Sequence, residues 1–142
     1  MSDNCRFAFA LHVLSVLALH PDETLNSDFL AHSVNTNPVV IRRLLCELSH
    51  AGLVETQRGP RGGARIGSAP PAITLAQIHR AVSAGETPFG EHPKEPAQCC
   101  AVGRGIRSAL DDVSQRAARA VEREYDAITL ADFVDQIKAQ EP

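Results

Sequence analysis

Between residues 35 and 67 the chain carries a run of local signals that leaves few folds open. Asn37 can accept amide hydrogens at the start of a helix, and Pro38 takes the first helical position, where its missing donor is harmless. Ile41, Leu44, Leu45 and Leu48 then recur with helical spacing, and Gly52 follows as a left-handed stop. Just upstream, a shorter helix is expected over residues 27–34, with Ser27 as its N-cap and Phe29, Leu30 and Val34 apolar. Two helices joined by the few residues around Asn35 and Thr36 make a helix-turn-helix. Downstream, residues 53–57 alternate as a short strand should. Residues 58–63 are Arg-Gly-Pro-Arg-Gly-Gly, a tight loop, and 64–67 can return as a second strand. The product is a β wing tipped with arginine. Its glycines allow close approach to a groove, and its guanidinium groups suit phosphates or a narrow minor groove.

The rest of the chain reads as helix. Residues 3–19 place Phe7, Ala10, Leu11, Leu14, Leu17 and Ala18 on one face, with Ser2 or Asp3 as cap and Pro21 beyond the end. Thr74 and Gln77 form a capping-box pair that opens a helix through Ala84. A long loop then runs over residues 85–100 with Pro88, Pro93 and Pro96 in it, too irregular for a mere connector. The pattern returns to helix over 102–127, longer than a small domain needs. Its stripe of Ile106, Leu110, Val113, Ala117 and Val121 is expected to pack on a second copy. Thr129 and Asp132 repeat the capping signal for a terminal helix through about Lys138. The expected fold is mainly α with a small β wing. A winged helix-turn-helix domain spans 1–84, a sensor loop 85–101, and a dimerisation segment with the terminal helix 102–142.

The 142 residues carry 14 Lys and Arg against 17 Asp and Glu, a net charge of −3, which at first argues against a nucleic-acid partner. Location reverses that reading. From residue 36 to 66, five arginines (42, 43, 58, 61 and 65) face only Glu47 and Glu55, a local balance of +3. The longest apolar stretch, residues 7–19, is thirteen residues interrupted by His12 and Ser15, too short for a bilayer, and no basic leader precedes it. A cytoplasmic protein without a membrane partner is therefore expected, and its four cysteines, at 5, 46, 99 and 100, are expected to be reduced. No nucleophile, base and oxyanion set suggests an enzyme.

The run from Thr36 to Leu45, then Ala51-Gly52-Leu53-Val54 and Arg58-Gly59-Pro60-Arg61-Gly62-Gly63, resembles the Rrf-type family of bacterial winged-helix transcription regulators. With the Phe7-Ala8-Phe9-Ala10-Leu11 helix, the Ile73-Thr74-Leu75 turn, the cysteine-containing loop and the long helix, the resemblance covers nearly the whole chain. It implies a homodimer on double-stranded DNA, the helix from Asn37 in the major groove and the wing in the adjacent minor groove. A helical wheel agrees, leaving Val39, Arg43, Cys46 and His50 opposite the core stripe and Arg42 on a flank. The expected DNA-binding residues are Thr36, Asn37, Pro38, Val39, Arg42, Arg43, Arg58, Gly59 and Arg61. Arg42 or Arg43 can pair with guanine, and Val39 can meet a thymine methyl. Arg58 matches the family's wing arginine, whereas Arg61 stands where glycine is commoner.

Iron–sulfur members of the family carry three cysteines spaced by about five residues before the long helix. Here only the adjacent Cys99 and Cys100 occur, and the histidines show no metal spacing, so no cofactor or metal is expected and an iron–sulfur sensor is an alternative. As cysteines at a helix N-terminus, Cys99 and Cys100 are candidate thiol sensors, the competing reading being small packing residues. A winged-helix module that binds protein rather than DNA is the other alternative, which the arginine wing disfavours.

Overall fold

The computed structural model describes residues 4–83 and 90–141. They form α1 (Asn4–Leu19), α2 (Ser27–Val34), α3 (Pro38–His50), β1 (Val54–Gln57), β2 (Gly63–Ile66), a 3₁₀ turn (Pro70–Ala72), α4 (Leu75–Ser83), α5 (Ala101–Asp126) and α6 (Leu130–Lys138). The chain divides into two units, one holding residues 4–83 with 125–141 and the other residues 90–124.

In the first unit α1 is the central element, packing on α2, α3, α4, α6 and β2. Ala10, Val13, Leu14 and Leu17 are fully buried, so the helix has neighbours on more sides than a single stripe supplies. Ser15 is buried with them, its hydroxyl donating to the Leu11 carbonyl at 2.6 Å. Ile41 and Leu48 of α3 are also fully buried, and Leu44 and Leu45 nearly so, as the stripe requires.

The N-cap of α2 is Asn26, not the expected Ser27: its side chain accepts from the Phe29 amide at 2.8 Å. The cause lies outside the helix. Leu25 exchanges two backbone hydrogen bonds with Ala64 of β2, at 2.9 and 2.8 Å, which hold the chain extended up to residue 26. Asn35 ends α2 in the left-handed region at φ 65°, which asparagine tolerates better than most residues. Asn37 then caps α3 by accepting from the Val39 amide at 2.8 Å, with Pro38 at the first position as expected.

Gly52, at φ 76°, ends the turn after α3. The wing strands pair antiparallel in the register Val54↔Ile66, Glu55↔Arg65, Thr56↔Ala64 and Gln57↔Gly63. The expected alternation over 53–57 is absent, because Leu53 and Val54 are both buried and the next three residues are exposed. The wing's base is pinned to the core while its outer half projects from it. A side chain at Gly63 would bring its Cβ to 2.3 Å from the Leu25 carbonyl oxygen, so glycine is required for the close approach.

Thr74 and Gln77 form the expected reciprocal cap of α4, at 2.8 and 3.2 Å. Thr129 and Asp132 do the same for α6. These two turns pair with each other. The Leu75 amide donates to Ile128 and the Leu130 amide to Ile73, at 2.9 and 2.8 Å. The terminal helix therefore belongs to the first unit, packed on α1 and the 3₁₀ turn, rather than to a 102–142 segment with the long helix. Leu130 and Val134 carry this docking as buried apolar side chains. Tyr125 joins the same unit through ring contacts with Phe7 and His79, at centroid distances of 4.9 and 5.4 Å.

The second unit contains most of α5, whose 26 residues extend about 39 Å at 1.5 Å per residue. Ser114 is its only buried residue. Val113 is 53% and Val102 67% exposed. Ile106, Leu110 and Ala117 are half-buried, and Val121 is exposed.

Candidate nucleic-acid interface

On α3 the side turned from the core presents Val39, Arg43, Cys46 and His50, all exposed, with Arg42 on one flank. Val39 is 51% exposed, an apolar surface available to a thymine methyl. The Asn37 side chain is engaged as the helix cap, and Thr36 and Pro38 are half-buried. These three shape the helix start more than they present free groups. Arg42 reaches across to α2, where its Nη1 donates to the Ser27 hydroxyl at 3.3 Å. Ser27, displaced from the cap position, thus orients an arginine, a role the sequence does not signal.

A cleft of about 680 Å³ separates α3 from the wing, lined among others by Ser27, Arg42, Cys46, His50, Gln57 and Arg58. Gly59 also lines it, whereas Arg43, Val39 and Arg61 stand outside it, exposed. Arg42 and Arg58 therefore place positive charge on the two walls of one groove, where guanidinium forks can meet phosphate or a guanine edge. His50 donates from Nδ1 to the Cys46 carbonyl at 2.9 Å, which leaves Nε2 as its remaining polar atom. His50 and Gln57 are cleft residues that the expected set lacked. His50's place on the wheel signalled it; Gln57 is brought in only by the hairpin register.

In the second unit Cys99 and Cys100 are exposed in the turn before α5, and none of the four cysteines is in a disulfide. Cys100 occupies the cap position of α5. The backbone N–H groups of Gly103, first, and Val102 lower its thiol from the ordinary value, because they donate to the thiolate. The turn is tight. The Arg104 guanidinium donates to the Gln98 carbonyl at 2.9 Å, and a Cβ on Gly103 would lie 1.8 Å from the Ala97 carbonyl oxygen.

A family model described as Rrf2, iron-dependent transcriptional regulator, matches residues 4–136. The chain belongs to the Rrf2 family. YwnA of Bacillus subtilis, which bears the designation of HTH-type transcriptional regulator, is 37% identical over 134 residues, covering 94% of this chain and 98% of that protein. The structure of CymR, the global cysteine regulator of B. subtilis, is 25% identical with a TM-score of 0.63 over 96% of each chain. IscR of T. potens, 21% identical, shares the fold with a TM-score of 0.71 over all of this chain and 91% of its own. The chain is thus a winged-helix transcriptional regulator of the Rrf2 type, with DNA binding as its function.

The family's description names iron, and the donor set among the described residues of this Rrf2 chain does not fit a resident cluster. A two-iron cluster takes four protein ligands. The turn before α5 offers two adjacent thiols, and among the described residues no group of three or more His, Cys, Asp or Glu is placed to hold a metal ion. Neither is any helix of the described residues long and apolar enough to cross a membrane.

Proposed function

We propose that this Rrf2 regulator is a cytoplasmic homodimeric repressor that reads a near-palindromic operator, with the Cys99-Cys100 turn as a thiol-responsive input. The observation that carries the DNA-reading part is the cleft whose opposite walls bear Arg42 and Arg58, beside an exposed face of α3. The exposed apolar stripe of α5 supports the dimer: Val113 and Val121 stand in solvent on a helix with one buried residue. A two-fold dimer places two recognition helices on successive major-groove faces, hence the palindrome. The lowered thiol of Cys100, exposed and bonded to backbone amides, supports the thiol input.

The test of docking is a salt titration on DNA selected from a random duplex library and on a scrambled control. Changing Arg58 and Arg61 together to Ala weakens binding on both DNAs and lowers the salt slope by about 0.9 for each phosphate no longer neutralised. Changing Arg42 to Ala removes about 1 to 3 kcal/mol on the selected site and less on the scrambled one. Equal losses on both DNAs for Arg42 would show that α3 only grips the backbone. No loss from the wing pair would sink the docking itself.

The thiol input has its own test. Peroxide transfers one oxygen to a thiolate and leaves as water, giving a sulfenic acid. Millimolar peroxide is expected to change operator affinity of the native protein severalfold, and to change nothing once Cys99 and Cys100 are both Ser. An unchanged response in that variant removes these thiols from the mechanism.

A further inference from the structure

Glu47 is the only acidic residue of α3. It lies one turn after Arg43, about 40° around the helix from it, beside the face that Val39, Cys46 and His50 share. A carboxylate there acts against DNA binding in two ways. It repels phosphate, and it draws Arg43 into an intrahelical pair at i,i+4 spacing. In the structure neither partner is so engaged. Arg43 is exposed, with no hydrogen bond or ion pair among the described residues. Glu47 is instead paired with Nη2 of Arg6, forty-one residues away on α1.

Arg6 makes a second bond. Its Nε donates at 3.0 Å to the carbonyl of Val82, in the last turn of α4, where helix carbonyls have no intrahelical donor. The guanidinium is thereby fixed from two directions. Its side chain is 21% exposed and that of Glu47 33%, so water screens the pair less than it would at an open surface. Lysine has one point charge and no fork, so it can hold Glu47 only more loosely.

We propose that Arg6 is a positioning residue for DNA recognition: by holding the Glu47 carboxylate toward α1 and α4, it leaves Arg43 free to reach DNA. The proposal rests on the reading of α3 as the DNA-facing helix. It predicts a pattern that a merely structural salt bridge would not produce, because removing the unwanted charge should cure the loss of its holder.

The experiment measures operator affinity of full-length variants on library-selected DNA at two salt concentrations, with folding checked by circular dichroism. Arg6→Gln is expected to weaken binding about tenfold, more at low salt. Glu47→Gln alone should stay within about twofold of native, and the double variant Arg6→Gln/Glu47→Gln should return to within about threefold. Adding Arg6→Gln to Arg43→Ala should cost little more than Arg43→Ala alone. Arg6→Lys, which keeps the charge and tests the idea even if Arg6→Gln fails to fold, should hold binding within about threefold. A double variant as weak as Arg6→Gln, or an Arg6→Lys as weak as an uncharged residue, overturns the proposal. Native affinity in Arg43→Ala overturns it too, while a loss in Arg42→Ala on the same DNA would show that the reading of α3 itself survives.

Discussion

Lysine at both Leu110 and Val113 is expected to turn the proposed dimer into a monomer and to weaken operator binding by about a hundredfold or more. Val113 is already more than half exposed in the single chain, and Leu110 lies one turn before it on the same stripe of α5. In the proposed seam, which would bury valine, leucine and alanine, two lysines per chain set four like charges, and the desolvation penalty has no partner charge to offset it. The DNA affinity falls because the second half-site is no longer bound intramolecularly, an advantage worth about 10² to 10⁴ in linked binding. Sedimentation equilibrium at micromolar concentration reads the first effect and a gel-shift titration the second. A native protein that sediments as a monomer would refute this role for the stripe.

A large stability effect is expected at Gly63. Alanine there would put its Cβ 2.3 Å from the Leu25 carbonyl oxygen and 2.5 Å from its carbon, at a φ of +155°. The obstacle is backbone, and it can retreat only by stretching the two hydrogen bonds between Leu25 and Ala64. Strain plus two weakened bonds amounts to about 2 to 4 kcal/mol. For a domain of this size that is a fall in melting temperature of about 10 to 20 °C. Gly52 provides the contrast. It has positive φ with nothing within 4 Å of where a methyl would stand, so alanine there meets only the left-handed penalty of about 1 to 2 kcal/mol. Thermal unfolding followed by circular dichroism separates the two, and equal losses would mean that the close approach to Leu25 carries no special weight.

Much of the fold was legible because its signals are local. The Asn37-Pro38 start of α3, the Thr74-Gln77 and Thr129-Asp132 boxes, and the glycine stop at 52 each depend on residues within four positions of one another. The departures have the opposite character. The cap of α2 moved to Asn26 because Leu25 is held by a strand thirty-nine residues later, and α6 docks in the first unit because the turns before α4 and α6 bond each other. Within the site, exposure of Arg42, Arg43 and Val39 followed from the helical wheel. The bonds from Arg42 to Ser27 and from Arg6 to Glu47 did not, since neither spacing has a sequence period. Polar partners brought together by the fold leave no rhythm in the chain.

With α3 and the wing docked on DNA as proposed, the tie between Leu25 and Ala64 also bears on how DNA is chosen. It fastens the returning strand of the wing to the residue that leads into α2, and α2 carries Ser27, which holds Arg42. The interval between α3 and the wing would thus be a fixed gauge rather than an adjustable one. A rigid gauge makes the duplex do the adapting. Base pairs lying between the two contacts, touched by no side chain, would then be selected by how readily they narrow or bend to fit that interval, since the deformation energy differs from sequence to sequence.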